Sequence, residues 1–165
     1  MSKINLGVIG TSEIAQEHLR VINNLKEFRL YGITSRTNKN SNFILNKFKF
    51  KKKYKSYIEM AKDKNIKALL IVVSADQSYS VIKDIIKFKK PFFCEKPAGS
   101  TLKESRYLKS LSIKFKTLNM VGFNRRYYSV IKTGLDIINK NGGIRAINVE
   151  GHERYWIIKS IINKK

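Results

Sequence analysis

Ala68-Leu69-Leu70-Ile71-Val72-Val73 is apolar at every position. A strand with one face in water alternates polar and apolar residues, so an unbroken run is buried on both faces. That burial belongs to a parallel sheet with helices above and below it. Working outward, Ile4–Ile9 reads as another buried strand, followed by a helix from Ile14 to Leu25 with Ile14, Leu19, Ile22 and Leu25 near one face. Phe28–Thr34 is a second strand, Ser41–Phe48 a second helix and Tyr57–Lys64 a third. Beyond the apolar run, Val81, Ile82, Ile85 and Ile86 mark a helix over Ser78–Phe88, Pro91–Cys94 a strand, and Ser100–Ile113 a helix. Ser100 or Thr101 caps that helix, with Glu104 in its first turn. Thr117–Gly122 closes the series as a last strand. Strand and helix in this rhythm predict a doubly wound α/β domain, residues 1–122.

Past Gly122 the texture changes, and residues 123–165 read as the start of a second α/β domain. Ser129–Asn139 is an amphipathic helix, Asn141-Gly142-Gly143 a turn, and Ile144–Glu150 alternates like the first strand of a different sheet. The tail Gly151–Lys165 carries Tyr155, Trp156, Ile157, Ile158, Ile161 and Ile162 with no partner evident in the sequence. Such an apolar tail suggests self-association or a partner chain.

Bulk composition bounds the function. The chain has 165 residues, 42% hydrophobic and 11% aromatic, which is globular composition. One cysteine, Cys94, excludes an intramolecular disulfide and a cysteine-rich metal site. No segment approaches the ~18 apolar residues of a membrane span, and the short N-terminal run is too β-like for a signal peptide, so a cytoplasmic protein is expected. The net charge of +22 invites a nucleic-acid hypothesis, because phosphate neutralisation drives such binding. The lysines are scattered, however, and only Lys47–Lys55 (KFKFKKKYK) is dense. That block is either a solvated surface or, with Phe48, Phe50 and Tyr54 interleaved, a phosphate-binding patch.

The first strand runs into Gly10-Thr11-Ser12-Glu13-Ile14-Ala15 and then a helix. In open α/β sheets this turn aims a helix N-terminus at a phosphate, with Gly10 giving the tight turn and Ala15 close packing. Ser12 holds the place of the middle glycine of G-x-G-x-x-G/A. Its side chain would crowd a pyrophosphate or donate to it, and an ordinary strand–turn–helix start is the alternative. The second strand ends Thr34-Ser35-Arg36 with no acid for ribose hydroxyls. Arg36 would pair with a 2′-phosphate and Ser35 would hydrogen-bond it, favouring NADP over NAD, unless Arg36 is merely solvated. After Phe92-Phe93-Cys94 comes Glu95-Lys96-Pro97. A lysine at the mouth of a parallel sheet can donate to a substrate hydroxyl oxygen and stabilise charge as hydride leaves. The alternative is an exposed ion pair beside a loop proline.

The order of these signals resembles the glucose–fructose oxidoreductase, inositol dehydrogenase and rhizopine-catabolism (Gfo/Idh/MocA) family. The resembling pieces are Gly7–Ala15, Thr34-Ser35-Arg36, Val72–Asp76, Glu95-Lys96-Pro97 and Gly122-Phe123-Asn124-Arg125-Arg126-Tyr127, spread over about residues 3 to 151. The resemblance implies an N-terminal Rossmann domain for NAD or NADP and a C-terminal domain that supplies most of a pocket for a sugar, cyclitol or nucleotide-sugar hydroxyl. It implies Gly10, Thr11, Ser12, Glu13 and Ile14 at the pyrophosphate, Ser35 and Arg36 at the adenosine ribose, and Ser74 and Asp76 near the nicotinamide-side ribose. Lys96 would be the catalytic lysine, with Glu95 and Pro97 shaping its loop, and Asn124, Arg125 and Arg126 would lie where the domains join. Departures are Ser12 for glycine, Ala75 for the usual proline and Tyr79 for the usual histidine. The chain also stops at Lys165, before the segment that usually carries an Asp and a catalytic His, and neither His18 nor His152 fills that role. The expectation is a cofactor-binding protein that is inactive or needs a complementing domain. A non-catalytic nucleotide-binding or interaction module is the second reading, and a basic nucleic-acid-binding protein the third.

Overall fold

The computed structural model describes residues 3–36, 41–148 and 150. Six parallel strands form one sheet: β1 (Ile4–Ile9), β2 (Phe28–Thr34), β3 (Lys52–Lys53), β4 (Ala68–Ile71), β5 (Phe92–Cys94) and β6 (Asn119–Val121), in the order β3-β2-β1-β4-β5-β6. The crossovers run through α1 (Glu13–Asn23), α2 (Ser41–Lys47), α3 (Tyr57–Lys62), α4 (Ala75–Ile85) and α5 (Leu102–Phe115). Strand order reverses between β1 and β4, which opens a crevice at their carboxyl ends.

Alternate residues of each strand feed two cores. Ile9, Leu69, Ile71, Phe92 and Cys94 pack with Met60, Ile82, Ile85, Ile86 and Leu108 on the face of α3, α4 and α5. Leu6, Val8, Leu70 and Val72 pack with Leu19, Ile33 and Ile44 on the other face, under α1 and α2. The apolar run that predicted two-sided burial is buried at Leu69, Leu70, Ile71 and Val72, each at most 3% exposed. The strand ends at Ile71, with one further ladder bond from Val72 N, and Val72 and Val73 form the rim of the crevice.

The bounds of α4 and α3 shift for local reasons, the Thr101 cap of α5 is as expected, and one strand is new. α4 begins at Ala75 rather than Ser78, because Ser74 takes the extended conformation of an N-cap and starts the helix three residues early. α3 stops at Lys62, where Asp63 turns extended. α5 is capped by Thr101, with Thr101 Oγ1 accepting from Glu104 N and the Glu104 carboxylate accepting from Thr101 N. β3 was not expected at all: it lies inside the lysine block as a two-residue edge strand. In that block lysines 47, 49, 51, 52 and 55 are exposed, while Phe48, Phe50 and Tyr54 are buried. The aromatic residues that the nucleic-acid reading needed on the surface belong to the core instead.

Contacts divide the chain into compact units Met1–Phe123 and Asn124–Lys165. The second, taken by itself, has a 3-10 turn over Asn124–Tyr127 and the helix α6 (Ser129–Lys140), closed by Gly143 N donating to Ile138 O. The alternating stretch after Gly143 forms no strand over its described residues 144–148. A strand exists only as part of a ladder, and no described segment pairs with this one. The apolar tail and His152 lie outside the described residues. No described helix is long and apolar enough to cross a membrane.

Candidate functional site

The carboxyl ends of the strands form one continuous rim, because the ladder bonds extend one residue past each strand. Gly10 N donates to Thr34 O at 2.9 Å, Val72 N to Ile9 O at 2.8 Å, Glu95 N to Ile71 O at 3.0 Å and Gly122 N to Cys94 O at 2.8 Å. Gly10, Val72, Glu95 and Gly122 therefore stand on neighbouring strands at one level. Lys96 follows Glu95 on the same rim, two strand spacings or about 10 Å across the sheet from the Gly10 strand.

Gly10 has φ +116, a conformation that only glycine adopts without strain. A Cβ there would lie 2.7 Å from the carbonyl carbon of Val72 and deep within contact distance of its oxygen. The turn thus closes tightly against the end of β4. Ser12 caps α1: its backbone is extended, at φ −68 and ψ 172, and Ser12 Oγ accepts from Ala15 N at 3.3 Å. That extended backbone explains why a side chain is tolerated where the motif has its middle glycine. First-turn amides of a helix have no acceptor within it, so with Ala15 N taken by Ser12, those of Glu13 and Ile14 point outward, where a phosphate binds well. Ala15 is fully buried and lets α1 lie close on the sheet.

A cleft of about 440 Å³ opens at the β1–β2–β4 rim, lined by Gly10, Thr11 and Ser12 on one side, Ser35 and Arg36 on another, and Ser74 and Gln77 at the start of α4. Thr11 Oγ1 and Ser35 Oγ, 2.9 Å apart, share a hydrogen bond across it. Lys55, Ser56 and Tyr57 complete the wall, and no carboxylate is among the described lining residues. This is a phosphate-compatible donor set: turn amides, hydroxyls and cations.

The second part of the site is the loop after β5. Glu95 Oε1 lies 2.8 Å from His18 Nε2 of α1, and Glu95 Oε2 accepts from Lys96 N at 3.2 Å. The His18 ring also meets Phe93 edge-on, with centroids 5.5 Å apart. The first helix is thereby fastened to the loop that carries Lys96, whose own side chain is exposed and whose peptide bond to Pro97 is cis. Cys94, beside this loop, is fully buried, and burial first, then the Glu95 charge, pushes its thiol up to about 12.

Of the residues singled out from sequence, Gly10, Thr11, Ser12, Ser35, Arg36 and Ser74 meet around the cleft. Glu13, Ile14, Asp76, Glu95 and Lys96 do not line it, although Glu13 and Ile14 open α1 directly beside it. The Ser74 hydroxyl first, then the Gln77 amide, hold the Asp76 carboxyl below the usual carboxylate range, and the Arg36 charge adds to this. Asn124 and Arg125 belong to the second unit, both exposed on its 3-10 turn. Sequence reasoning missed Ser56, Tyr57, Gln77 and the contact of His18 with Glu95, and met Lys55 only as part of the lysine block.

A sequence profile described as an oxidoreductase family with an NAD-binding Rossmann fold, that of Gfo/Idh/MocA proteins, matches residues 4–123. The myo-inositol 2-dehydrogenase of Thermotoga maritima is 27% identical over 124 residues, 75% of this chain and 37% of that protein. The inositol 2-dehydrogenase of Serratia proteamaculans is 28% identical over 127 residues, 75% of this chain and 38% of that protein. The chain thus spans about two fifths of the length of these curated relatives. Among solved structures, apo scyllo-inositol dehydrogenase from Lactobacillus casei matches with a TM-score of 0.78 at 18% identity, over 85% of this chain and 42% of that one. At that identity the likeness is one of fold.

Proposed function

The chain belongs to the Gfo/Idh/MocA oxidoreductase family, and from that premise we propose that it binds a nicotinamide dinucleotide across the β1–β4 crevice, NADP in preference to NAD. The observation that carries this reading is the single rim that holds both the tight Gly10 turn and the Lys96 loop. In this reading the Glu13 and Ile14 amides and the Thr11 and Ser12 hydroxyls bind the pyrophosphate, Ser35 and Arg36 the adenosine ribose and its 2′-phosphate, and Ser74 and Asp76 the other ribose. Bound there, the nicotinamide would accept or give a hydride. Lys96 donates to the oxygen of a sugar or cyclitol hydroxyl and stabilises the charge on it, while His18 and Glu95 hold the loop in place. Turnover further requires groups that hold the substrate beside Lys96. A dinucleotide drawn from the intracellular pool fits a cytoplasmic protein.

The test is a titration of the chain with NADPH and with NADH, followed by the fluorescence of the reduced nicotinamide. Saturable binding with tighter affinity for NADPH is expected, and Arg36→Ala should narrow that preference. Lys96→Ala should leave both affinities unchanged. Absence of binding to either dinucleotide overturns the reading. A collapse of affinity in Lys96→Ala would make that lysine structural.

A further inference from the structure

We propose that Lys55 is a second specificity-determining cation of the cleft, which with Arg36 selects a dinucleotide bearing a 2′-phosphate; this rests on the NADP reading of the same cleft. The placement follows from strand register. β2 and β3 pair Gly32 with Lys52 and Ile33 with Lys53, and Tyr54 N extends the ladder by donating to Ile33 O at 2.9 Å. One residue on, the chain bends at Lys55 and leaves the ladder. Ser35, Arg36 and Lys55 line one end of the cleft together.

The Lys55 backbone is held on both sides, while its ammonium makes no hydrogen bond or ion pair among the described residues. Tyr54, 2% exposed, lies over Gly32, where a Cβ would come 3.0 Å from Tyr54 Cδ2 and closer still to Cε2. Tyr54 OH donates to Asp63 Oδ2 at 2.6 Å, and Lys55 N donates to Glu59 Oε2 at 3.0 Å. Glu59 faces a cation of its own, since Lys52 Nζ lies 3.8 Å from Glu59 Oε1. Asp76, the other acid nearby, acts on Arg36. Among the described residues no carboxylate pairs with Lys55 Nζ, which leaves that ammonium available to a dianionic phosphate entering beside Arg36.

The experiment is calorimetric titration of the full chain, wild type and Lys55→Ala, Lys55→Glu and Lys55→Arg, with NADPH and NADH. Lys55→Ala should weaken NADPH binding about five- to tenfold, as expected for one lost charge-assisted contact at a partly exposed site. Lys55→Glu should weaken it further, Lys55→Arg should restore most of it, and NADH affinity should change less than about twofold in all three. NADH binding also reports that each variant is folded. If wild type prefers NADPH and Lys55→Ala keeps the full preference, or loses both cofactors equally, the assignment of Lys55 is wrong while the NADP reading stands. A wild type with equal affinity for the two removes the NADP reading, and the role of Lys55 with it.

Discussion

Replacing Gly10 with alanine puts a methyl group where the backbone of β4 already is. The new Cβ would sit 2.7 Å from Val72 C, and still closer to Val72 O, against an ordinary contact of 3.4–4 Å. The obstacle is main chain rather than the end of a flexible side chain, so relief requires the turn and β4 to separate. At φ +116 the alanine is also strained by itself, at about 1–3 kcal/mol. Overpacking adds about 1–3 kcal/mol. A loss of about 3–4 kcal/mol is a large part of the roughly 5–15 kcal/mol that holds a typical domain together. With a urea slope of about 2 kcal/mol per molar, the unfolding midpoint should fall by about 1.5–2 M. The shift also widens the turn, so NADPH affinity measured in water, where the variant remains folded, should drop by more than tenfold. Equilibrium urea unfolding by circular dichroism, paired with the nicotinamide titration, measures both. An alanine variant with wild-type midpoint and affinity would refute the tight turn against β4, and with it the account of the phosphate end.

Ser12 separates capping from cofactor contact. Ser12→Gly should cost a few tenths of a kcal/mol and Ser12→Ala about 1 kcal/mol in the same unfolding assay, since glycine tolerates the N-cap conformation and alanine lacks the acceptor for Ala15 N. The buried Cys94 thiol, raised to about 12, should resist alkylation in the native protein at pH 8 and react as urea unfolds it. Tyr54 is held above its ordinary value by burial first and then by its bond to Asp63, so the folded state favours the neutral phenol. That stabilisation is complete below the unfolded tyrosine value near ~10 and is lost as pH rises toward the folded one. Asp63 is lowered, first by that same bond, so its contribution is present above the unfolded value and lost as pH falls through the folded one. Tyr54→Phe should flatten the stability profile at both its acid and alkaline ends, as thermal unfolding across pH will show.

The alternation of strands and helices and the two-sided burial of the sheet were legible because burial leaves a direct trace in residue type. The run from Ala68 to Val73 can only be two-sided, and Thr101 with Glu104 announces a helix start within three residues. β3 left no such trace. Its two residues are both lysine, and it exists because Phe50 and Tyr54 on either side are drawn into the cores. Composition reported the charge of that segment, whereas tertiary packing decided its conformation. The same alternation removed the aromatic surface on which the nucleic-acid reading depended.

Site legibility divides by range. Gly10, Ser12, Ser35, Arg36 and Ser74 each lie within three residues of a strand's end, so a reader who has the strands has the rim. The His18–Glu95 contact spans 77 positions and the approach of Lys55 to Ser35 spans a crossover, and no local pattern encodes either. Lys55 reaches the cleft because Tyr54 pairs one step past β3, and His18 of α1 meets Glu95 at the end of β5, a strand two places from β1. The tight turn can be read residue by residue, but the charge that greets the cofactor's far end is set by how the second and third strands align. A one-residue slip in that alignment would turn Tyr54 out of the core and Lys55 away from Arg36, so cofactor preference and the packing of the β3 edge are coupled through one register.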